Sequence, residues 1–363
     1  MSRIVDLIAE LCPEGVEFAR LGELVRIRNG RDYKALGLGD IPVYGTGGVM
    51  LYVDAAAHPG PSVLIPRKGS LGKLYYVDKP FWTVDTIFYT EIGDRLDPKF
   101  LYYHLSTQRL EELNQAAGIP SLTQSVLNLL LVPVPPLEVQ REIVRVLDQF
   151  TRLEANLEAE LEARRRQYAH YRYSLLEASD DVPRVLLGDL FDMRSGRFVS
   201  AADISPELDF GHSFPCYGGN GLRGYVATPN QDGRRVLVGR QGALSGNVHR
   251  VDGEFYATEH AIVVTPLLGV EIDIDWAFHM LTAMNLNQYI SQGAQPGLTV
   301  GTLKELSVPV PPLEKQERIS SKLNAFDALV NDLSVGLPAE LAARRKQYEH
   351  YRDRILTFEK AMP

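Results

Sequence analysis

Side chains able to read or grip a nucleic-acid duplex gather at the turns of this chain, at corresponding places in its two halves. In the first half they are Arg28, Asn29, Arg31, Tyr44, Thr46, Arg67, Lys68, Ser70 and Lys73. In the second they are Arg194, Ser195, Arg197, Tyr217, Asn220, Arg223, Arg234, Arg235, Arg240, Gln241, Ser245 and Asn247. Guanidinium and ammonium groups match the acceptor edge of guanine, and carboxamides match the mixed edge of adenine. Lysine and serine more often hold phosphates and fix register. A solvated loop tip accounts for any one of these residues alone. Their recurrence at matched positions points to double-stranded DNA.

Groupings that perform catalysis are missing from the sequence. Gly69 to Lys73 has the glycines and lysine of a phosphate loop at the wrong spacing, and no GxGxxG follows an expected strand. Asp97-Pro98-Lys99 has the D-x-K shape of some nuclease sites. An Asp-Pro pair before an apolar run reads better as a helix cap and first helical residue, and the second half has no equivalent. The eight histidines show no paired-ligand spacing, so His249 and His260 read as structural or surface residues. No G-x-S-x-G elbow is present. The chain is expected to be non-catalytic, the opposing reading being a nuclease or transferase with an unrecognised site.

What must position the polar turns is a duplication. Residues 132–150 (VPVPPLEVQREIVRVLDQF) and 308–326 (VPVPPLEKQERISSKLNAF) match at eleven of nineteen positions, at a constant offset of 176. Arg164 to Arg172 (RRRQYAHYR) is echoed by Arg344 to Arg352 (RRKQYEHYR). Upstream, Val16–Arg31 aligns with Val182–Arg197, Ile41–Val53 with Phe214–Val226, Ser62–Leu71 with Arg235–Leu244, and Pro120–Thr123 with Pro296–Thr299. The plan is module, helix, module, helix: residues 1–131, 132–181, 182–307 and 308–363. Strand cores and turn glycines match while the intervening stretches diverge, as expected of one scaffold carrying two different surfaces.

After Pro135-Pro136 an apolar stripe runs through Ile143, Leu147, Phe150, Leu153, Leu157, Leu161, Tyr168, Tyr171 and Leu175. Its second copy runs through Ile319, Leu323, Phe326, Leu329, Leu333, Leu341, Tyr348, Tyr351 and Ile355. Steps of three and four predict coiled-coil helices with their stripes packed on each other. Glu138 to Ala178 as one helix would span about 60 Å. Four extra residues around Gly336 and Pro338 predict a kink or a break in the second copy. The modules read as mixed α and β. Strands are expected at Ser62–Pro66, Leu74–Val77, Ile87–Thr90, Val236–Val238 and Ala261–Thr265. A helix of about four turns is expected after Asp97, with a counterpart from Asp275 to Tyr289. The fold class is α+β: two tandem modules joined by two long antiparallel helices, with an internal pseudo-twofold repeat.

At 363 residues, 45% apolar and 23% charged, the composition is that of a globular protein. Cys12 and Cys216 sit in different copies, which argues against a disulfide framework and fits a reducing cytoplasm. No run approaches a membrane span, and acidic residues interrupt any signal-peptide core in the first 15 residues. The net charge of −8 is unusual for a nucleic-acid binder, so any DNA site must be a local cluster.

VPVPPLE-x-Q at the foot of each long helix, each preceded by a module with Y-G-x-x-G and L-[IV]-x-R-x-G, resembles the DNA-specificity subunit of type I restriction–modification systems. The resemblance covers essentially the whole chain. It implies two target recognition domains that each read one half of a split, asymmetric sequence, with antiparallel helices as a ruler between them. It further implies two docked methyltransferase subunits and restriction subunits that translocate DNA, in a complex serving phage defence. S-adenosylmethionine, ATP and magnesium would be held by those partners, and no cofactor by this chain. The alternative is a coiled-coil adaptor that binds only proteins.

Overall fold

The computed structural model describes residues 2–114, 120–177, 182–242, 245–291, 297–332 and 334–361. Two compact units emerge, Met1–Asn156 with Leu341–Pro363, and Leu157–Glu340. Each therefore combines one module with helical segments from both copies of the repeat.

The first unit opens on α1 (Ser2–Leu11), whose Ile4 is buried in the main core. β1 (Phe18–Arg20) and a single turn, α2 (Leu21–Leu24), lead into β2 (Val25–Asn29). β3 (Leu38–Gly45), β4 (Gly48–Val53), β5 (Ser62–Pro66), β6 (Tyr75–Val77), β7 (Trp82–Thr83) and β8 (Ile87–Ile92) follow. They build a four-stranded antiparallel sheet, β2-β8-β5-β6, and a three-stranded sheet, β4-β3-β7. β5 is buried at every position, as its run from Val63 to Pro66 requires of a strand covered on both faces, and the Ser62 hydroxyl donates to Thr90 O at 2.7 Å. α3 (Pro98–Thr107) is capped by Asp97, whose carboxylate accepts from the amides of Lys99 and Phe100. The four-turn expectation fails here. The Thr107 hydroxyl bonds the His104 carbonyl, Gln108 turns extended, and Leu110–Leu113 forms a separate 3₁₀ turn. α4 (Gln124–Asn128), β9 (Leu131–Pro133) and the 40-residue α5 (Leu137–Leu176) complete the first copy.

The second copy repeats the order. β10 (Arg184–Leu186), α6 (Leu187–Leu190) and β11 (Phe191–Ser195) precede β12 (Phe214–Gly218), β13 (Gly221–Val226), β14 (Arg235–Gly239), β15 (Val248–Val251), β16 (Tyr256–Ala257) and β17 (Ala261–Pro266). Its sheets, β11-β17-β14-β15 and β13-β12-β16, reproduce the first module's. α7 (Ile274–Ala283), also shorter than expected, α8 (Val300–Lys304), β18 (Ser307–Pro309) and α9 (Leu313–Asn331) follow, then α10 (Leu337–Ile355). Pro296, aligned above with Pro120, lies outside the described residues, as do Ala178 and Leu333.

The repeated VPVPPLE-x-Q block is more than a helix start. Its first residues are strand: β9 pairs antiparallel with β1, and β18 with β10, at sheet edges where proline needs no ladder donor. Pro135-Pro136 then starts α5. The glutamine is a buried clamp. Gln140 accepts from the Asp97 amide at 2.8 Å and donates to the carbonyls of Arg95 (2.9 Å) and Pro135 (2.7 Å). Gln316 does the same with Asp273, Glu271 and Pro311, so each long helix is tied to the cap of its module's helix. Gln140→Leu takes the side-chain partner from three backbone groups, one of them buried, and is expected to destabilise the first unit by roughly 2–4 kcal/mol in chemical denaturation. A loss under about 1 kcal/mol would contradict the clamp.

Helix pairing is reciprocal between the copies. In the first unit Phe150 of α5 meets Tyr348 and Tyr351 of α10 at 6.1 and 5.9 Å, and Glu154 pairs with Arg345 at 2.6 Å. Rising numbers on one helix meet falling numbers on the other, so the two run antiparallel. In the second unit the equivalent Phe326 of α9 meets Tyr168 and Tyr171 of α5 at 6.4 and 5.2 Å. The stripe is not buried throughout, since Leu153 is 61% exposed. Around it, ion pairs such as Glu160–Arg164 and Glu162–Arg166 support a solvated stretch of helix. The second helical region is broken between Asn331 and Leu337. Gly336 closes the turn, where a Cβ would come within 2.5 Å of the Ala328 carbonyl oxygen.

Candidate nucleic-acid interface

Strand polarity brings the polar turns to one edge of each module. In the first, the ends of β2, β3 and β5 and the starts of β4, β6 and β8 share that edge. The Arg31 amide donates to Thr83 O at 2.8 Å, and the Arg67 amide to Thr86 O at 2.9 Å. The Leu122 amide donates to Arg67 O, tying the 120–124 segment alongside. Gly30 makes the crossing possible, because a Cβ there would stand 2.0 Å from Val84 O. Lys73 Nζ donates to Gly47 O at 3.0 Å, and the Tyr75 hydroxyl to Thr46 O at 2.9 Å. Thr46 and Thr86 hydroxyls are 3.3 Å apart. Asn29, Arg31, Lys68, Ser70 and Lys73 are exposed there, and Arg67 is half-buried with its guanidinium 5.8 Å from the centre of the Phe88 ring.

The second edge repeats the backbone and changes the side chains. The Arg197 amide donates to Ala257 O at 3.0 Å, Arg240 to His260 O at 2.8 Å, and Leu298 to Arg240 O at 2.8 Å. Gly196 plays the part of Gly30, with a Cβ position 2.2 Å from Ala257 O. Exposed around it are Ser195, Arg197, Asn220, Arg223 and Gln241, with Asn247 half-buried.

Some expected residues do not join these edges. Arg234 and Arg235 stand at the opposite end of β14, and Arg234 is committed to a two-oxygen contact with buried Asp275 at 2.7 and 2.8 Å. Their grouping with Arg240 is corrected on that ground: charge near a strand is not charge at the right end of it. Ser245 is buried and bonds Gly242 O. Tyr44 and Tyr217 turn their rings into small cores against Phe81 and Phe255. Arg28 and Arg194 lie on strands and pair with Glu91 and Asp192.

Other residues were passed over. Asp85, Thr86 and Gln124 lie on the first edge, where Gln124 donates to Asn29 at 3.3 Å. Glu259 and His260 hold the corresponding places on the second. His260 lies 2.9 Å from the Gln241 carboxamide and 3.1 Å from Glu259, so it belongs to the edge rather than to the scaffold. Aligning TVDT (83–86) with ATEH (257–260) was the available signal.

Beneath the edges, each module docks on its helix through different polar groups. In the first, Asp148 of α5 takes Lys99 Nζ at 2.6 Å and the Tyr103 hydroxyl at 2.7 Å. In the second, Arg250 of β15 reaches Asp275 (3.1 Å), Asn324 and Asp327 (2.9 Å). Burial works against the Asp275 charge, yet the hydrogen bond from Asn324 and the nearby Arg250 and Arg234 hold its carboxyl below the usual range. His279 sits within this network, 2.8 Å from Asn324 and 3.3 Å from the Tyr168 hydroxyl.

Two buried imidazoles make stability pH-dependent. Burial lowers His104 and His279 to about 4 each, outweighing the contact with the Leu131 backbone at His104 and the Asn324 hydrogen bond at His279. A depressed imidazole pKa leaves stability intact above the unfolded value near 6.5. Below it the unfolded chain takes up protons that the fold refuses, until pH reaches about 4. Thermal melts are therefore expected to fall between pH 6.5 and 4, by roughly 3 kcal/mol for each ring. His104→Met, which copies Met280 at the equivalent position, should remove about half of that dependence; an unchanged profile would contradict the assignment.

Comparison with known proteins finds relatives for both copies of the repeat. Residues 13–163 and 180–343 each match the sequence model described as the type I restriction modification DNA specificity domain. The specificity subunit of the type I restriction enzyme EcoprrI from Escherichia coli is 41% identical over 296 residues, covering 76% of this chain and 73% of that protein. A putative type I restriction enzyme specificity subunit from Haemophilus influenzae is 27% identical over 357 residues, covering 88% and 89%. Among solved structures, the S subunit of a type I restriction–modification system from M. genitalium superposes with a TM-score of 0.61 at 21% identity, over 94% of this chain and 95% of that one.

Proposed function

Because the chain belongs to the family of type I restriction–modification DNA specificity subunits, we propose that each of its modules reads one half of a split, asymmetric DNA target. The observation that carries this reading is the pair of edges. Their backbone hydrogen bonds are equivalent, while Lys68 and Gln241, Thr46 and Gly219, or Thr86 and His260 differ at matched positions. Equivalent scaffolds with unlike side chains suit two unlike half-sites. The antiparallel helices hold the half-sites apart, and docked methyltransferase and restriction subunits supply S-adenosylmethionine, ATP and magnesium chemistry. The chain itself contributes address and spacing.

Sequencing of methylated DNA from cells with and without the protein tests the reading, which requires a two-part motif that depends on this chain. Arg67→Ala should relax the first half-site only and Arg240→Ala the second only, each by about 1–3 kcal/mol of discrimination. A single continuous motif, or equal weakening on all DNA by both variants, would overturn it. The protein-only adaptor predicts no change in methylation at all.

A further inference from the structure

Beside the first recognition edge a cleft of about 820 Å³ opens between the module and α5. Its lining includes Tyr44, Tyr75 and Tyr76 from the strands, Tyr102 and Tyr103 from α3, and Arg145, Asp148 and Arg152 from α5. It is continuous with the edge, because Tyr75 donates to Thr46 O and Lys73 lies 5.6 Å from the Tyr75 ring centre while donating to Gly47 O. Its charges do not cancel. Lys99 is neutralised by Asp148 and Arg145 by Glu142, but Arg152 has no ion-pair partner among the described residues, and neither has Lys73 at the adjoining edge, which meets the Gly47 carbonyl and the Tyr75 ring.

The second unit does not repeat this surface. Arg250 spans the corresponding gap from β15 to α7 and α9, and Ser321 and Ala328 stand where α5 carries Arg145 and Arg152. A protein partner present in two copies would need the same groove twice. An asymmetric duplex needs no such symmetry.

We propose that this cleft is a track for the sugar–phosphate backbone of the DNA strand leaving the first half-site, with Arg152 and Lys73 as phosphate contacts. The inference rests on the DNA-reading function proposed above. Cations along a groove, with the Tyr76 and Tyr102 phenols between them, are groups that grip phosphates without reading bases. Such contact adds affinity equally on all sequences and releases counterions. It also supplies positive charge locally in a chain whose net charge is −8.

The test uses the full-length chain, with its methyltransferase partner, and a duplex carrying the mapped target, titrated over a series of salt concentrations. Arg152→Gln should weaken binding about 3- to 10-fold on specific and unrelated DNA alike, and make the slope of log K against log salt shallower by about 1. Arg152→Lys should restore most of both. Phosphate-ethylation interference beside the first half-site should fade in Arg152→Gln while that beside the second persists. Unchanged affinity and slope would overturn the proposal. So would loss of the methyltransferase subunit at unchanged DNA affinity, which would make the cleft a protein dock. Arg67→Ala separates the two levels of argument. If it relaxes the first half-site while Arg152→Gln is silent, only the cleft inference falls; if neither variant has any effect, the DNA-reading function falls with it.

Discussion

Arg250→Ala is expected to cost the second unit roughly 3–5 kcal/mol. The guanidinium is the cation shared by Asp275, which is 8% exposed at its side chain, and Asp327, at 18%. Removing it leaves two poorly hydrated carboxylates a short distance apart, with Arg234 as the remaining neutraliser and that only at Asp275. An uncompensated buried charge is far more expensive than the pair was beneficial. Arg234→Ala should cost on the order of 1 kcal/mol or less, because that side chain is half exposed. The chain carries one tryptophan in each module, Trp82 and Trp276, and Trp276 is buried on α7. Denaturation of a Trp82→Phe background, followed by fluorescence, therefore reports the second unit. Equal effects of the two arginine variants would show that the network is not the dock described.

Exchange of residues 182–307 for the module of a related specificity subunit should change one half of the methylated motif completely and leave the other half as it was. The structure adds a condition. Asn324, Asp327 and Tyr168 remain on the helices, and Arg250, Asp275 and His279, which bond them, are on the module that leaves. A donor module that keeps those three residues should yield a stable, retargeted protein. A donor without them should suffer the same loss as Arg250→Ala, whatever its recognition edge reads. Methylation maps of both chimaeras decide the matter; a motif altered in both halves, or in neither, would contradict independent modules.

Much of this was legible before any coordinates. Offset alignment of VPVPPLE-x-Q and RR-x-Q-Y-x-H-Y-R gives two copies, and helical steps of three and four give α5. An Asp-Pro pair gives the cap of α3, whereas the crowded crossings at Gly30 and Gly196 show only in the fold. These features depend on backbone preference and side-chain period, which act over a few residues and so are written in the chain. The end of α3 at Thr107 was not legible, because the apolar pattern continues to Leu113 while the backbone leaves the helix.

Tertiary structure alone decided which residues meet. Phe150 and Tyr168 belong to one repeat and share one helix, where side chains so far apart in sequence cannot meet, so the aromatic partners of Phe150 come from the other copy. Arg234 and Arg240 are six residues apart in sequence, but the length of β14 puts them at opposite ends of a strand, one in a buried ion network and the other beside His260. Glu259 and His260 reach the edge only because β17 runs antiparallel to β14. Sequence determines the pieces through local forces; strand direction and helix rigidity, acting over tens of ångströms, select which pieces share a surface.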